Sequence, residues 1–569
     1  MRNVHRLPIS RMAFVGAVVT LWASLAPGLG ANAAVRSTTP TTTPIKHVVV
    51  IFQENVSFDH YFGTYPNAAN TSGEPFHARP GTPSVNGLTS ALLTANPNGV
   101  NPQRLDPSNV NDLLTCDQDH GYTDEQLAFD GGAMDNFPSA VGNGNGASPT
   151  GQPCSSSDVM NYYDGNAVSA LWGYAQHFAM SDNSFGTTFG PSTPGAINLI
   201  SGDTGGVGQM IRGAESDGDV VPDGQGGFSL IDDAQGYYDD CATRDAVSMT
   251  GQNIGDLLNA RGLSWGFFQG GFRPTTPFPA GVPTAPYDPL STTAPKAACH
   301  ASHPIGAALG GTGQWGTKAD YIPHHEPFQY YASTANPHHL APTSLAAIGT
   351  DTQSYVGGQP QFDTANHQYD ISDFNKLVAA ITEGDLSPHH LPAVSFLKAP
   401  GYEDGHADYS DPIDEQQFLT HEINAIERSP DWPSTAIVIA YDDSDGWYDH
   451  AFSGVTNPSQ TAADALTGPG SCGTGSPLAG EQGRCGYGPR LPLLVISPWA
   501  KPNFVDHTLT DQSSILRFIE DNWGLPRIQG SFDAVAGSLN NMFRFGSGSQ
   551  VTPLFLNPNT GTGIRERYA

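Results

Sequence analysis

Short unbroken apolar runs alternate along this chain with segments whose apolar residues recur at helical spacing. The runs include Val48-Val49-Val50-Ile51-Phe52, Ala393-Val394-Ser395-Phe396-Leu397, Ala436-Ile437-Val438-Ile439-Ala440 and Leu493-Leu494-Val495-Ile496. Their shortness and branched side chains predict strands buried on both faces. Asp411-Pro412 predicts an N-cap followed by proline at the first helical position, with Phe418, Leu419, Ile423 and Ile426 on one face. Asp511 predicts the cap of another helix, which carries Ile515, Leu516, Phe518, Ile519 and Trp523 and stops at Gly524 and Pro526. Strand and helix in alternation predict an α/β fold, a three-layer sandwich around a largely parallel sheet. In that class ligands sit beyond the carboxyl ends of the strands. The residues that follow each apolar run are therefore where chemistry is expected.

The N-terminus follows a different pattern. Arg2, Arg6 and Arg11 precede an apolar run from Met12 to Leu25, and Ala31-Asn32-Ala33 offers small residues for cleavage. This predicts a Sec-type signal peptide over 1–33, a linker over 34–44, one large domain over 45–545 and a tail over 546–569. No later stretch approaches the length of a bilayer span, so a secreted or periplasmic protein without stable membrane insertion is expected. The 65 glycines and 46 prolines predict long ordered loops, chiefly through 66–110, 130–157, 202–228, 270–300 and 455–490.

Charge narrows the partners. With 24 basic against 55 acidic residues, the net charge of −31 excludes nucleic acid as a partner, for want of cations to neutralise phosphates. A phosphorylated small molecule stays open, because a bound cation inverts the local field. The six cysteines, Cys116, Cys154, Cys241, Cys299, Cys472 and Cys485, form no C-x-x-C pair, and in an exported chain they predict disulfides. Sequence neighbours are the expected pairs: Cys116–Cys154, Cys241–Cys299 and Cys472–Cys485.

Three segments carry candidate chemistry. The first apolar run leads into Gln53-Glu54-Asn55, and the third into Tyr441-Asp442-Asp443. A carboxylate and an amide oxygen at one strand end, and two adjacent carboxylates at another, are hard donors suited to a divalent cation. Gly190-Pro191-Ser192-Thr193-Pro194 holds a hydroxyl on what reads as a stiff turn. Serine becomes a useful nucleophile only when a base or a metal activates it. No G-x-S-x-G elbow surrounds it, which argues against a lipase-type triad. His120, His324, His325 and His406 sit in polar segments where imidazoles could donate protons or bind oxyanions.

These blocks, in this order, resemble the bacterial phospholipase C and acid phosphatase family of phosphoesterases. The carriers are His47 to Asn55 with Ser57 to Gly63, Tyr321-Ile322-Pro323-His324-His325-Glu326-Pro327-Phe328, Tyr441-Asp442-Asp443 with Gly446 and Asp449-His450, Pro489-Arg490-Leu491-Pro492 with Ile496 to Trp499, and Ser514 to Glu520. The resemblance implies an alkaline-phosphatase-like core with long loop insertions. It implies one divalent metal ion held by Glu54, Asn55, Ser192, Asp442 and Asp443, with Ser192 also the nucleophile. His120, His324, His325 and His406 would line the phosphate pocket. Where the family has Pro-Asn-Arg after the nucleophile this chain has Pro194-Gly195-Ala196, which leaves Thr193 as the alternative hydroxyl. Too few residues follow Trp523 for the C-terminal β domains of the larger family members. The Asp442-Asp443 pair leans toward the acid phosphatase branch, acting through a phosphoserine on small phosphate esters. A phospholipase C cleaving phospholipid head groups is the alternative, a sulfate-ester hydrolase is more distant, and a non-catalytic secreted binding protein is the remote reading.

Overall fold

The four apolar runs become neighbouring strands of one sheet. In the computed structural model the described residues are 40–142, 146–351, 354–356, 359–361, 365–386, 389–546, 548 and 551–564. The expected signal peptide, most of the linker and the last residues of the tail lie outside them. The strands are β1 (His47–Gln53), β2 (Ala179–Ser181), β3 (Trp265–Gln269), β4 (Gln368–Asp370), β5 (Val394–Lys398), β6 (Thr435–Tyr441), β7 (Leu493–Ile496) and β8 (Phe504–Asp506). Their order is β4-β3-β5-β1-β6-β7-β2-β8. Only β7 runs against its neighbours, β6 and β2, so the sheet is largely parallel as expected.

Register matters most at the centre. β1 pairs with β6 along its whole length, ending with Gln53 opposite Tyr441. On its other side Ile51 lies opposite Leu397 of β5. The chain therefore leaves β1, β6 and β5 at nearly one level, and Glu54, Asp442 and Lys398 emerge beside one another. Every residue of β1, β5 and β6 is buried, which explains why those runs lack polar alternation.

Helices α1 (Phe58–Phe62), α2 (Tyr122–Phe129), α3 (Ser169–His177), α4 (Ser192–Ser201), α5 (Ile371–Glu383), α6 (Pro412–Arg428) and α7 (Ser513–Trp523) pack around the sheet. α4 packs on α7, while α6 packs on α5 and α3. Asp411 caps α6 as expected, accepting from the Ile413 and Asp414 amides. At α7 the cap position falls to Gln512, because Asp511 remains paired in a short ladder with Phe185. Asp511 still accepts a hydrogen bond from the Ser513 hydroxyl at 2.7 Å. Gly524, in the left-handed region at φ 64°, ends the helix.

Ser192 differs from expectation in a useful way. It is the first residue of α4, not part of a loop. Pro191 is extended and precedes the helix, and Pro194 falls within the first turn, where its missing N–H is no loss. The stretch 202–228, expected to be loop, also holds Val207–Ile211 paired with Ala246–Met249 and a hairpin of Val220–Pro222 with Phe228–Leu230. The three neighbour disulfides form as expected.

Helix α6 buries four carboxyls, those of Asp414, Glu415, Glu422 and Glu427. Glu415 accepts from the Tyr61 and Tyr441 hydroxyls at 2.9 and 2.5 Å, and Glu427 accepts from the Leu554 amide. Burial pushes Glu415 up to about 7, and Glu422 and Glu427 up to about 8, from 4.5. Folded, these groups keep protons that the unfolded chain has already released, so unfolding releases protons and stability falls as pH rises toward 8. Histidines buried as neutral groups act in the opposite sense only below their ordinary 6.5. Thermal melts should therefore give a lower midpoint at about pH 8.5 than at pH 6.5, with a shallower drop in Glu422→Gln. A flat or rising midpoint over that window would show that these carboxyls are ionised in the fold.

Candidate functional site

The ends of β1 and β6 are stitched together by their own backbone. The Asn55 amide donates to Asp442 Oδ1 at 2.9 Å, the Val56 amide to the Asp443 carbonyl at 2.9 Å, and the Glu54 amide to the Asp404 carbonyl at 2.9 Å. Asn55 takes a left-handed conformation at φ 55°, which asparagine tolerates better than most residues. That turn is what brings its amide oxygen back toward Glu54. The start of α4 then closes on the pair. A Cβ on Gly195 would lie 2.2 Å from the Asp442 carbonyl oxygen, so only glycine lets the helix approach this closely. The departure from Pro-Asn-Arg thus falls at a backbone contact.

Ser192, 2% exposed, is ringed by acceptors. Its Oγ lies 3.0 Å from Glu54 Oε2, 3.1 Å from Asp443 Oδ2 and 3.3 Å from Asn55 Oδ1. One hydroxyl has one proton, so it can satisfy one of these three oxygens as a donor. The others face it across a space that only a cation, or extra protons, would make favourable. Asp442 stands just behind: its Oδ1 also accepts the Asp443 amide at 2.8 Å, and its Oδ2 lies 3.8 Å from Lys398 Nζ. The Thr193 amide donates to Asp233 Oδ1 at 2.9 Å, and its hydroxyl is buried without a hydrogen-bond partner among the described residues.

Charge in this cluster is crowded. Burial would push Glu54 up, but the adjacent His325 ring and the Lys398 ammonium outweigh it and hold the carboxyl well below its usual range. Burial and the Glu54 and Asp443 charges drive Asp442 well above it. Asp443 is pushed up to about 7 by burial, against the pull of His120. Protonation is thus the protein's own way of relieving the crowding, and a bound divalent ion is the other.

The four expected histidines surround this cluster at differing range. His325 is closest, its Nδ1 3.2 Å from Glu54 Oε1. Its Nε2 is buried with no hydrogen-bond partner among the described residues. His120 places Nε2 3.3 Å from the Asn55 amide nitrogen, while Nδ1 donates to the Gln118 carbonyl at 2.9 Å. Burial lowers His120, but Asp443, Asp445, Asp117 and Asp233 outweigh it and keep the ring cationic. His406 lies edge-on to His120 at 6.1 Å, and burial pushes it down to about 4, so it is neutral. His324 is a step removed: it packs edge-on against His325 at 4.4 Å and faces Asp233 at 3.8 Å.

Several neighbours were not anticipated from sequence. Lys398, the last residue of β5, is buried and bonded to Glu54 Oε1. The signal was available, since a charged residue ends an otherwise apolar strand beside the expected ligand edge. Glu125 on α2 bridges the two loops, accepting from the Gly190 amide at 3.1 Å and the Ser444 hydroxyl at 2.7 Å. Burial and the Asp443 charge push it up to about 8. Nothing in its local sequence marks that role. Asp404 lies 4.0 Å from His325, and Glu54, His325 and Asp404 offer a second group of donors that could gather around an ion.

An α/β sheet with buried oxygen donors and a helix-terminal serine at its carboxyl edge defines the architectural class. The chain belongs to the phosphoesterase family, whose model matches residues 45–526. It is 23% identical to the non-hemolytic phospholipase C of Burkholderia pseudomallei over 90% of this chain and 60% of that protein. The non-hemolytic phospholipase C of Pseudomonas aeruginosa is 22% identical over 88% of this chain and 57% of the relative. Phospholipase C A of Mycobacterium tuberculosis is 22% identical over 88% of this chain and 78% of its own length. The chain thus spans about 60% of the first two relatives.

Gly195→Ala should force α4 away from Asp442, lower stability by about 1–3 kcal/mol and weaken binding of added divalent ions. Calorimetric titration with Mn beside a thermal melt checks this. Unchanged affinity would show that the α4 approach does not shape the donor cluster.

Proposed function

We propose that the protein is an exported, metal-dependent hydrolase of phosphoric esters, of acid phosphatase type, acting through a phosphoserine at Ser192. The observation that carries this reading is the Ser192 hydroxyl ringed by Glu54, Asn55 and Asp443 oxygens at 3.0–3.3 Å. Glu54, Asn55, Ser192, Asp442 and Asp443 would hold one divalent cation, whose all-oxygen set suits Mg, Mn or Ca without excluding Zn or Fe. When bound, such an ion lowers the hydroxyl pKa and draws charge from a phosphate oxygen. The donors fit that role, since three acceptors share one serine proton. Lys398 supports a single ion, because its ammonium already neutralises the side of Glu54 that faces away from Ser192.

The chain's own groups supply the remaining steps. Ser192 Oγ gives up its proton to the adjacent oxygens and attacks phosphorus in line with the leaving alcohol. His120, whose Nδ1 is held by the Gln118 carbonyl, presents Nε2 to the site and protonates the leaving oxygen. His324, His325 and His406 hydrogen-bond the non-bridging oxygens as charge builds there. The amino end of α4 adds its positive dipole end at Ser192. Water then hydrolyses the phosphoserine. Three disulfides fit an oxidising compartment outside the cytoplasm. Among the described residues no helix is long and apolar enough to cross a membrane.

A phospholipase C activity is the second reading, and the names of the relatives favour it. Both readings share the same nucleophile and ion. Ser192→Ala should lower kcat by at least about a thousandfold with an unchanged melting midpoint, and trapping a phosphorylated wild-type serine by mass spectrometry should locate it at residue 192. Retention of a tenth of wild-type turnover would remove Ser192 from its role. Dialysis against a chelator should abolish activity, readdition of a divalent ion should restore it, and the active protein should contain about one ion per chain. Two ions at full activity would instead bring the Glu54, His325 and Asp404 group into the centre.

A further inference from the structure

Lys318 lies near the cluster with no carboxylate in ion-pair contact among the described residues, although Asp404, Glu54, Asp408 and Asp117 act on it from farther away. Lys318 sits on the second strand of a small hairpin, Thr317–Ala319, opposite His303. That hairpin is fastened to the loop after β5: the Gly401 amide donates to the Asp320 carbonyl at 3.0 Å, and His303 stacks on Tyr402 at 4.5 Å. The same loop supplies the Asp404 carbonyl that receives the Glu54 amide. Lys318 is therefore tied by backbone to the end of β1. Its stem lies against Gly401, where a Cβ would meet Lys318 Cγ at 3.1 Å and the Ala319 oxygen at 2.7 Å. Glycine at 401 makes room for the lysine.

The ammonium ends over an aromatic ring, with Nζ 3.2 Å from the Tyr409 centroid. Tyr409 in turn stacks on His406 at 4.2 Å. Two groups this close to one ring must occupy opposite faces, so Tyr409 has no face left for another cation. Among the described residues Lys318 enters no ion pair, in contrast to Lys398, which is bonded to Glu54. Its charge reaches the pocket all the same: it lowers His324, His325 and His406, after the larger effect of their burial. In a chain of net charge −31, a lysine in ion-pair contact with no carboxylate among the described residues, and near three pocket histidines, is suited to bind an anion.

The geometry points to Lys318 as a specificity determinant that selects the dianionic phosphate of a monoester over the monoanionic phosphate of a choline diester. This rests on the phosphoesterase reading of the same site and names its substrate class. A monoester carries close to two negative charges at neutral pH, and the second needs a charged donor to accompany it into a buried pocket. A quaternary ammonium head group is recognised by free aromatic faces. Here the nearby face is filled by the protein's own ammonium, which also repels that head group.

Three proteins decide it: wild type, Lys318→Met and Lys318→Arg, all metal-loaded. Each is assayed on p-nitrophenyl phosphate and p-nitrophenylphosphorylcholine, and titrated calorimetrically with inorganic phosphate. The monoester-to-diester ratio of kcat/KM should fall about tenfold or more in Lys318→Met and stay within about threefold in Lys318→Arg, with phosphate binding weakened in parallel. An equal loss on both esters would mean that Lys318 only props the pocket, and unchanged phosphate affinity would equally overturn the inference. If wild type hydrolyses neither ester, the phosphoesterase reading fails by itself, and the phosphate titration still decides whether Lys318 binds the anion.

Discussion

The register between β1 and β6 is the constraint on which the rest of the site depends. Because Gln53 and Tyr441 lie level, Glu54-Asn55 and Asp442-Asp443 leave the sheet together, all four of them buried. Three carboxylates buried side by side repel, and in a low dielectric that repulsion is far from negligible. The surrounding structure reads as a set of answers to it. Lys398 binds Glu54, cationic His120 faces Asp443 and Asp445, and backbone amides of residues 55 and 443 point at Asp442 Oδ1. What these groups do not satisfy is the face of the cluster around Ser192.

That incompleteness is what the proposed metal and substrate would fill. Elsewhere in the molecule some buried charges are fully paired, while others, such as the Glu326 carboxyl, lack a hydrogen-bond partner among the described residues. Arg490 donates to both Asp449 oxygens, to Asp59 and to the carbonyls of Asn86 and Asp182, and Asp239 accepts from both Tyr321 and His339. Groups so fully bonded have nothing left for a ligand. At the carboxyl edge, His325 Nε2 and Asp404 Oδ2 are buried without hydrogen-bond partners among the described residues. Unspent donors and acceptors at one place, beside a hydroxyl with more acceptors than it can serve, support the proposed binding of a cation and an oxyanion there.

Much of this was legible in the sequence because buried parallel strands write themselves as unbroken apolar runs, and whatever follows them lies at the ligand edge. Glu54, Asn55, Asp442 and Asp443 could be read that way, and so could the Asp411 cap and the disulfide neighbours. Ser192 was found by motif and misplaced by conformation: two prolines in Gly-Pro-Ser-Thr-Pro read as a turn, yet proline is at home in a helix's first turn. Lys398 was missed although it ends a strand, since attention to metal donors passes over a cation. Glu125 and Lys318 had no local sign at all. Their roles exist only through contacts with residues hundreds of positions away or across a loop, as with Ser444 and Gly401.

The most direct measurement is a crystal structure grown with Mn and with vanadate as a mimic of the phosphate in transfer, located by the anomalous signal of the metal. The account predicts one ion bonded to Ser192 Oγ, Glu54 Oε2, Asn55 Oδ1 and Asp443 Oδ2, with Asp442 completing or bracing the set and vanadium next to Ser192. An ion seated between His325 and Asp404, with Ser192 outside bonding reach of both metal and vanadium, would contradict it.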